Sequence, residues 1–575
     1  MKKNFLLQIL NFLPSNSNHQ LNAFKLLERS LVQIANRTLT VKMAAVGIAF
    51  GNTTTSIAYV RDDGKLEVIA DPDGDRFIAS ALSYLGQDEY HGSQAIGQLI
   101  RNAENTIVNF RDFIGVPFEK IDTTYSQHSA KPINVDGKVG YEINGNKITV
   151  EEVTKRHLKK IAKDAEDYLG EKIEDVVLSV PENFTEEQKA LLINLAKQSG
   201  LNIRQTISEP SAALLSHLTS EKELNNDKVY VVADFGGIRS DVSVIAVRGG
   251  IFTLLSSAHT YELGGSKLDL ALMDFVAKDF KSKYKVDALG TKKSWAKLNS
   301  ASIISKKTLS NVETAPISVD ALAEGFDYNN TINRMRFEVV GRQVFSKMAA
   351  FIENAIKKAG LETLDIDSVL LAGGSSNVPK IARNLEFIFP ESTKIIAPSL
   401  DSKLPNPNEL NSRGAALQAY LISSFDDDVI KQSLSADVVE TKQLSKPIGL
   451  KGADGEFITV LPRNTVYPIK RVISLEASAD DVFIELYEGE RTIKETVEEP
   501  EEDSEDEDED DDDSEDEPDI IREVVYKPSK LLAQLALRGA GKGAKVEVVV
   551  NIRKEGKIQL AARSGKVASK GVIEA

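Results

Sequence analysis

The sequence predicts two units of different class, an α/β unit over residues 43–430 and a smaller β-rich unit over 447–575, joined by a linker at 431–446. Three observations carry this reading. Two stretches about 180 residues apart share one texture, strand and helix patterns alternate up to about residue 425, and short β runs take over from Pro447. At 575 residues the chain also exceeds what one hydrophobic core usually spans.

The echoing stretches are VGIAFGNTTTSIAYV (Val46–Val60) and VYVVADFGGIRSDVSVIAV (Val229–Val247). Each reads as a β run, a glycine-bearing turn and a second β run, hence a hairpin whose tip exposes backbone N–H groups. Two such tips can face one anionic ligand. Gly51, Asn52, Thr53, Gly236 and Gly237 suit that task, because small residues let the backbone approach phosphate closely. Asp234 and Asp241 flank the second turn, where carboxylates can hold magnesium through water. Taken singly, either acid reads as a solvated turn residue or a cap. Amphipathic patterns at Val153–Leu169 and Phe337–Gly360 supply helices between and after the hairpins.

In the β-rich unit the runs are Val472–Leu475, Val482–Tyr487, Lys545–Ile552 and Lys557–Ala561, the last two joined by a Glu555-Gly556 turn. Residues 498–517 interrupt them with seventeen acids in twenty positions. So little apolar content packs against nothing, and the run is expected to be a disordered insertion that splits strands which ought to pair, leaving an incomplete sheet. Ser504 and Ser514 precede acids and are candidate sites of acid-directed phosphorylation, against a plain solubilising role.

Formal charge is −16, yet outside the acidic run the chain is within about one charge of neutral, so no general basic field for DNA exists. No apolar run reaches the roughly 18–20 residues of a membrane span. The absence of cysteine excludes disulfides, thiolate metal sites and cysteine nucleophiles, and a reducing compartment is the natural setting. Residues 1–42, with six Lys or Arg against Glu28, read either as a transit-type segment or as an upstream start. GAGKGAK (Gly539–Lys545) lacks the spacing and following helix of a P-loop and reads as a plain loop. The six histidines show no metal-ligand spacing, and Trp295 reads as a packing residue.

Seven motifs occur in an order that resembles one known family. VGIAFGNTTTS, VPENF (Val180–Phe184), SEPSAA (Ser208–Ala213), DFGGIRSD (Asp234–Asp241), LGG (Leu263–Gly265), KKTLS (Lys306–Ser310) and LAGGSSNVPK (Leu371–Lys380) resemble those of the DnaK-like, seventy-kilodalton heat-shock chaperones. NFRDFIGVPF (Asn109–Phe118) and NPNEL (Asn406–Leu410) resemble the atypical Ssz-type branch. The resemblance implies an actin-like (duplicated ribonuclease-H-like) ATPase domain followed by a truncated, lidless β-rich peptide-binding-type domain. It implies ATP as cofactor, with Mg2+ held by Glu209, Asp234 and Asp241 through water. Gly264, Gly265, Lys306, Lys307, Ser310, Gly373, Gly374 and Ser375 then complete the nucleotide site. It further implies a cytoplasmic, ribosome-associated heterodimer with a zuotin-like J-protein, acting on nascent chains with a canonical heat-shock chaperone.

The departures from the family are concentrated in the hydrolytic machinery. Ala49 stands where the family has an aspartate, Arg111 falls on its catalytic lysine with Asp112 beside it, and Ile238-Arg239 replaces Gly-Thr in the second loop. If the Ile238 position required positive φ, the loop would have to take another path. Ile303 and Lys307 replace a glutamate and an arginine near the base, and Val438–Pro447 lacks the leucine-rich linker. Only some dozen residues follow the last β run, too few for a helical lid. Phosphoryl transfer depends on positioning and electrostatics, so these changes together predict ATP binding with little or no hydrolysis. An active ATP-driven foldase and a small-molecule kinase of the same fold are the alternatives, the first opposed by the changed residues and the second by the β-rich unit.

Overall fold

The computed structural model describes residues 44–219, 226–434, 441–498 and 519–573. The 1–42 segment, the acidic run with Ser504 and Ser514, and part of the linker lie outside the described residues.

The internal echo is a duplication of topology. In the first sheet the hairpin Ala44–Phe50/Thr54–Val60 continues antiparallel into Leu66–Ile69, while Ile173–Val180 and then Ile203–Ser208 add in parallel on the other side. The second sheet repeats this order with Lys228–Phe235, Ser240–Arg248 and Ile251–Thr260 on one side, Ser368–Ala372 and Lys394–Ile396 on the other. The central strands of both sheets are buried along nearly their whole length, which is why they read as unbroken apolar runs rather than alternating ones. Each sheet has its own main core, one between Val46 and Ile203 and one between Val229 and Ala397.

Two helices bring these lobes together. Glu209–His217 follows the first sheet, and Leu410–Ile422 packs against both that helix and the strands of the first sheet. Their approach is backbone to backbone: a Cβ on Gly414 would lie 1.8 Å from the Ala212 carbonyl oxygen, and one on Gly47 1.9 Å from the Ala416 nitrogen. The expected Val153–Leu169 helix is present as Val150–Leu169, capped by Thr149. The expected Phe337–Gly360 helix is instead two, Arg334–Val340 and Arg342–Lys358, parted at Gly341. Trp295 is a packing residue, and its ring stacks on His128 at 3.7 Å across the two lobes.

The C-terminal unit is a sandwich of two four-stranded sheets around one core. The acidic run does not split a sheet. Strands Val482–Glu498 and Asp519–Leu537 pair along their length up to Glu498–Asp519, so the ladder is complete on both sides of the chain's acidic interruption. Pairing needs only register and facing N–H and C=O groups, which an insertion between paired strands leaves intact. The Glu555-Gly556 turn joins Lys545–Ile552 to Ile558–Ser564, and a further strand, Val567–Ile573, closes the edge. The 539–544 loop carries no phosphate nest. Its Gly539 and Lys542 N–H groups donate to the Asp481 and Asp480 carboxylates, and those of Ala540 and Gly543 to backbone carbonyls. Arg491 ties the sandwich to Asp365 and Glu362 of the second lobe, each at 2.8 Å, and Arg471 to Asp227 at 2.9 Å.

Candidate functional site

The two hairpin tips meet at the base of the cleft between the lobes. They are built alike: Gly51 N–H donates to the Thr54 carbonyl at 3.0 Å, and Gly236 N–H to the Arg239 carbonyl at 2.9 Å. A Cβ on Gly51 would stand 2.4 Å from the Thr54 oxygen, and one on Gly236 2.7 Å from the Arg239 oxygen, so both tight turns need glycine. The tips touch each other, since a Cβ on Gly237 would lie 2.5 Å from the Thr53 hydroxyl. Ile238 is buried without positive φ, so the second tip follows the same path as the first and no detour is required.

Around the tips the expected nucleotide segments assemble. Gly265 and Ser266 donate their N–H groups to the Gly236 and Gly237 carbonyls, and the Ser375 hydroxyl donates to Gly236 at 2.9 Å. Gly373, at φ +78°, passes so close to the second hairpin that a Cβ would fall 2.2 Å from an Asp234 carboxylate oxygen; Gly374 and Gly264 pack as closely, against Asn408 and Gly237. Lys306 reaches the Gly265 carbonyl and Asp269, at 2.9 and 2.7 Å. Lys307 is exposed, and the Ser310 hydroxyl turns back to the Lys306 carbonyl of its own helix. Ala49 is buried in its strand opposite Ser56 and Ser179 and brings no polar group.

Charge, not backbone, sets this centre apart. Arg111 is 3 % exposed and donates to Asp112 at 2.8 Å, Glu209 at 2.7 Å and the Phe50 carbonyl at 3.2 Å. Arg239 is 5 % exposed; its guanidinium grips both oxygens of Asp241 at 2.8 and 2.5 Å, reaches Asn183 at 2.7 Å and approaches Asp112 at 3.5 Å. The Tyr261 hydroxyl adds a 2.6 Å bond to Asp112, and Asn52 a 3.2 Å one. Against the cost of burial, the two arginines and Tyr261 hold Asp112 down at about 2. Glu209 behaves oppositely: burial lifts its carboxyl to about 7, with Arg111 only partly offsetting this and Asp241 and Asp234 adding to it. Burial likewise raises Asp234 to about 6, opposed by the Asn411 amide at 2.9 Å.

The three acids expected to hold magnesium are therefore met by protein cations and an amide. Among the described residues no group of three or more His, Cys, Asp or Glu is arranged to hold a metal ion. The residues do not fit a hydrated divalent ion. They do fit a ligand rich in hydrogen-bonding groups, because Asn52 Oδ1, Ser240 Oγ, Ser266 Oγ, Asp269 Oδ1 and Asn411 Oδ1 are buried around the cleft without a partner in the chain.

Sequence reasoning missed the reach of Arg239 into the first lobe, and it missed Asn183, Tyr261 and Asn411 as partners. A cation two residues from Asp241 was a visible sign of the first. Nothing local marks Tyr261, whose partner is 149 residues away.

Relatives share this architecture over most of their length. The chain is 48 % identical over 534 residues to a protein of Saccharomyces cerevisiae named ribosome-associated complex subunit SSZ1, covering 91 % of this chain and 98 % of that one. It is 40 % identical over 530 residues to a heat shock protein 70 homologue of Schizosaccharomyces pombe, covering 90 % and 93 %. It is 30 % identical over 467 residues to heat shock 70 kDa protein 14 of Danio rerio, covering 79 % and 90 %. With a family model described as Hsp70 protein matching residues 45–499 as well, the chain belongs to the Hsp70 family.

Proposed function

We propose that this chain is a non-classical chaperone subunit that holds ATP with little or no hydrolysis and works with a J-protein as a ribosome-associated co-chaperone for nascent chains. One observation carries the reading: the centre where the family's loops present phosphate to its hydrolytic groups is filled by buried arginines, Arg111 and Arg239, clamped to Asp112, Glu209 and Asp241. A guanidinium fixed by two carboxylates is not a compact ammonium free to place an attacking water. The paired turns remain, so the proposed phosphate site is Gly51, Asn52, Thr53, Gly236 and Gly237. Lys306, Lys307, Ser310, Gly373, Gly374 and Ser375 are proposed for the adenosine side, with Gly264 and Gly265 closing the cleft. When bound, ATP supplies a polyanion that joins the two lobes of an actin-like domain.

The ribosome and J-protein parts rest on the similarity to the Saccharomyces cerevisiae subunit. The same similarity supports a cytosolic, ribosome-associated setting. The β-rich domain from Pro447 onward is proposed as the docking site for the J-protein's N-terminal region. An open groove beside Phe457, Tyr487, Tyr526 and Pro528 supports it, since extended peptides add to such surfaces through main-chain bonds.

Single-turnover hydrolysis of labelled ATP tests the central claim. ATP should be retained and turned over no faster than roughly once per hour, each tenfold loss of rate needing only about 1.4 kcal/mol of transition-state stabilisation. Chaperone-like turnover stimulated by a J-domain would overturn it.

A further inference from the structure

We infer that Arg239 is the resident cation of the acidic centre and that the cleft takes its nucleoside triphosphate free of any divalent ion. This rests on the nucleotide reading above and names the cation that accompanies the phosphates.

The position of Arg239 is the first ground. Its carbonyl closes the second phosphate turn, and its side chain folds straight back onto the acid at the turn's exit. The grip on Asp241 is two-pronged, through Nε and Nη2; the same Nη2 also donates to Asn183 Oδ1, and Nη1 faces Asp112. Its Cζ lies 5.8 Å from the centroid of the Tyr261 ring, and the Tyr261 hydroxyl donates to Asp112. Arg239 thus links the second lobe to two groups of the first, between carboxylates that a shared cation would otherwise bridge. Displacing it would leave a buried guanidinium without its carboxylates, which burial strongly disfavours.

Coordination is the second ground. Magnesium keeps several waters in a near-octahedral shell. Positions on the acids that such a shell would use are already taken by protein donors: Arg111 on Glu209, Arg239 on both oxygens of Asp241 and the Asn411 amide on Asp234.

Charge is the third. Asp112, Glu209, Asp234 and Asp241 face Arg111 and Arg239, and each arginine touches two of the acids. An added divalent ion would sit against two fixed positive charges. Phosphate oxygens, by contrast, match guanidinium donors in geometry and sign.

The experiment titrates ATP into the full chain by calorimetry, once in excess EDTA and once in excess magnesium. The two dissociation constants should agree within about threefold. In Arg239→Thr the EDTA value should weaken at least about tenfold and recover with magnesium, because the vacated acids can then hold the ion. A loss of tenfold or more on chelation in the unaltered protein overturns the inference, as does an Arg239→Thr protein indifferent to magnesium. If Arg239→Thr fails to fold, Arg239→Lys keeps the charge without the two-pronged grip, and unchanged affinity in EDTA for that variant counts against the inference. ATP binding under neither condition would sink the nucleotide reading itself. Manganese titrated alone and followed by electron paramagnetic resonance then decides the cation claim: the unaltered chain should bind none, and a manganese ion bound at this centre overturns it.

Discussion

Gly414→Ala should loosen the junction of the lobes and weaken ATP binding together. The added Cβ would fall 1.8 Å from the Ala212 carbonyl oxygen, whereas ordinary contact begins at 3.4 Å, so the helix Leu410–Ile422 must back away from Glu209–His217 by about 1.6 Å. Both partners are backbone within helices, so no side chain can rotate aside, and the cost belongs at the upper end of overpacking, about 3 kcal/mol. For the α/β unit of about 390 residues, at roughly 2.1 cal/mol/K of unfolding entropy per residue, that lowers Tm by about 4 °C. Asn411 lies one turn earlier on the moving helix, and its 2.9 Å bond to Asp234 cannot survive such a shift at hydrogen-bond length. Thermal melting followed by circular dichroism, with ATP titration on the same sample, measures both effects. A Tm within about 2 °C of the parent and an unchanged dissociation constant would refute the close-packing argument.

Glu209→Gln tests the electrostatics of the centre. A buried acid whose carboxyl is raised to about 7 contributes most below its unfolded value and loses that contribution as pH rises through 7, so the parent should lose Tm relative to the glutamine variant between pH 5 and 8. A parent advantage that instead grows with pH would mean that the Arg111 ion pair outweighs burial. Arg491→Ala removes bonds to Asp365 and Glu362 from a partly exposed site, so the global loss should be at most about 1 kcal/mol, with faster hydrogen exchange in residues 519–537 as the local signature; unchanged exchange there would count against this clamp. Deleting residues 499–517 should leave Tm within about 5 °C and ATP affinity unaltered, because the flanking strands pair up to Glu498–Asp519 without them. Truncation after Ser424 should greatly weaken co-purification with the J-protein; retention at full strength would remove the β-rich unit as the docking site.

The scaffold was readable because its signals are local. A hairpin tip needs glycine at particular places, and Gly51 and Gly236 occupy them in both copies, so the duplication could be read from two short strings. The long-range contents of the site were not readable in the same way. Asp112 meets Arg239 across 127 residues and Asn411 meets Asp234 across 177, and no periodicity encodes such pairs. The break at Gly341 was missed because the apolar pattern continues through it, although the glycine is required where a Cβ would stand 2.8 Å from the Phe345 ring. The acidic run misled for a different reason: composition says that a segment cannot pack, but not whether it lies within a sheet or beyond its end.

On the proposed function, the duplicated turns locate one change that would separate nucleotide binding from hydrolysis. Thr54 and Arg239 are equivalent, each closing its turn through the same backbone bond and each followed by the first residue of register, Thr55 opposite Phe50 and Ser240 opposite Phe235. At one copy the side chain is small and exposed; at the other a guanidinium is buried among three groups from both lobes. Since the backbone bond does not involve the side chain, an arginine at this place leaves the turn intact while changing the charge beneath it. If the turn holds phosphate as proposed, binding and turnover become separable at this one position. Turnover needs donors preorganised where charge develops on the transferred phosphoryl, together with a placed water, and ground-state binding needs only donors to the phosphates as bound. A centre whose cations are already committed to carboxylates has few donors left for a transferring phosphoryl, and on the proposed function such a chain keeps its nucleotide as part of its structure.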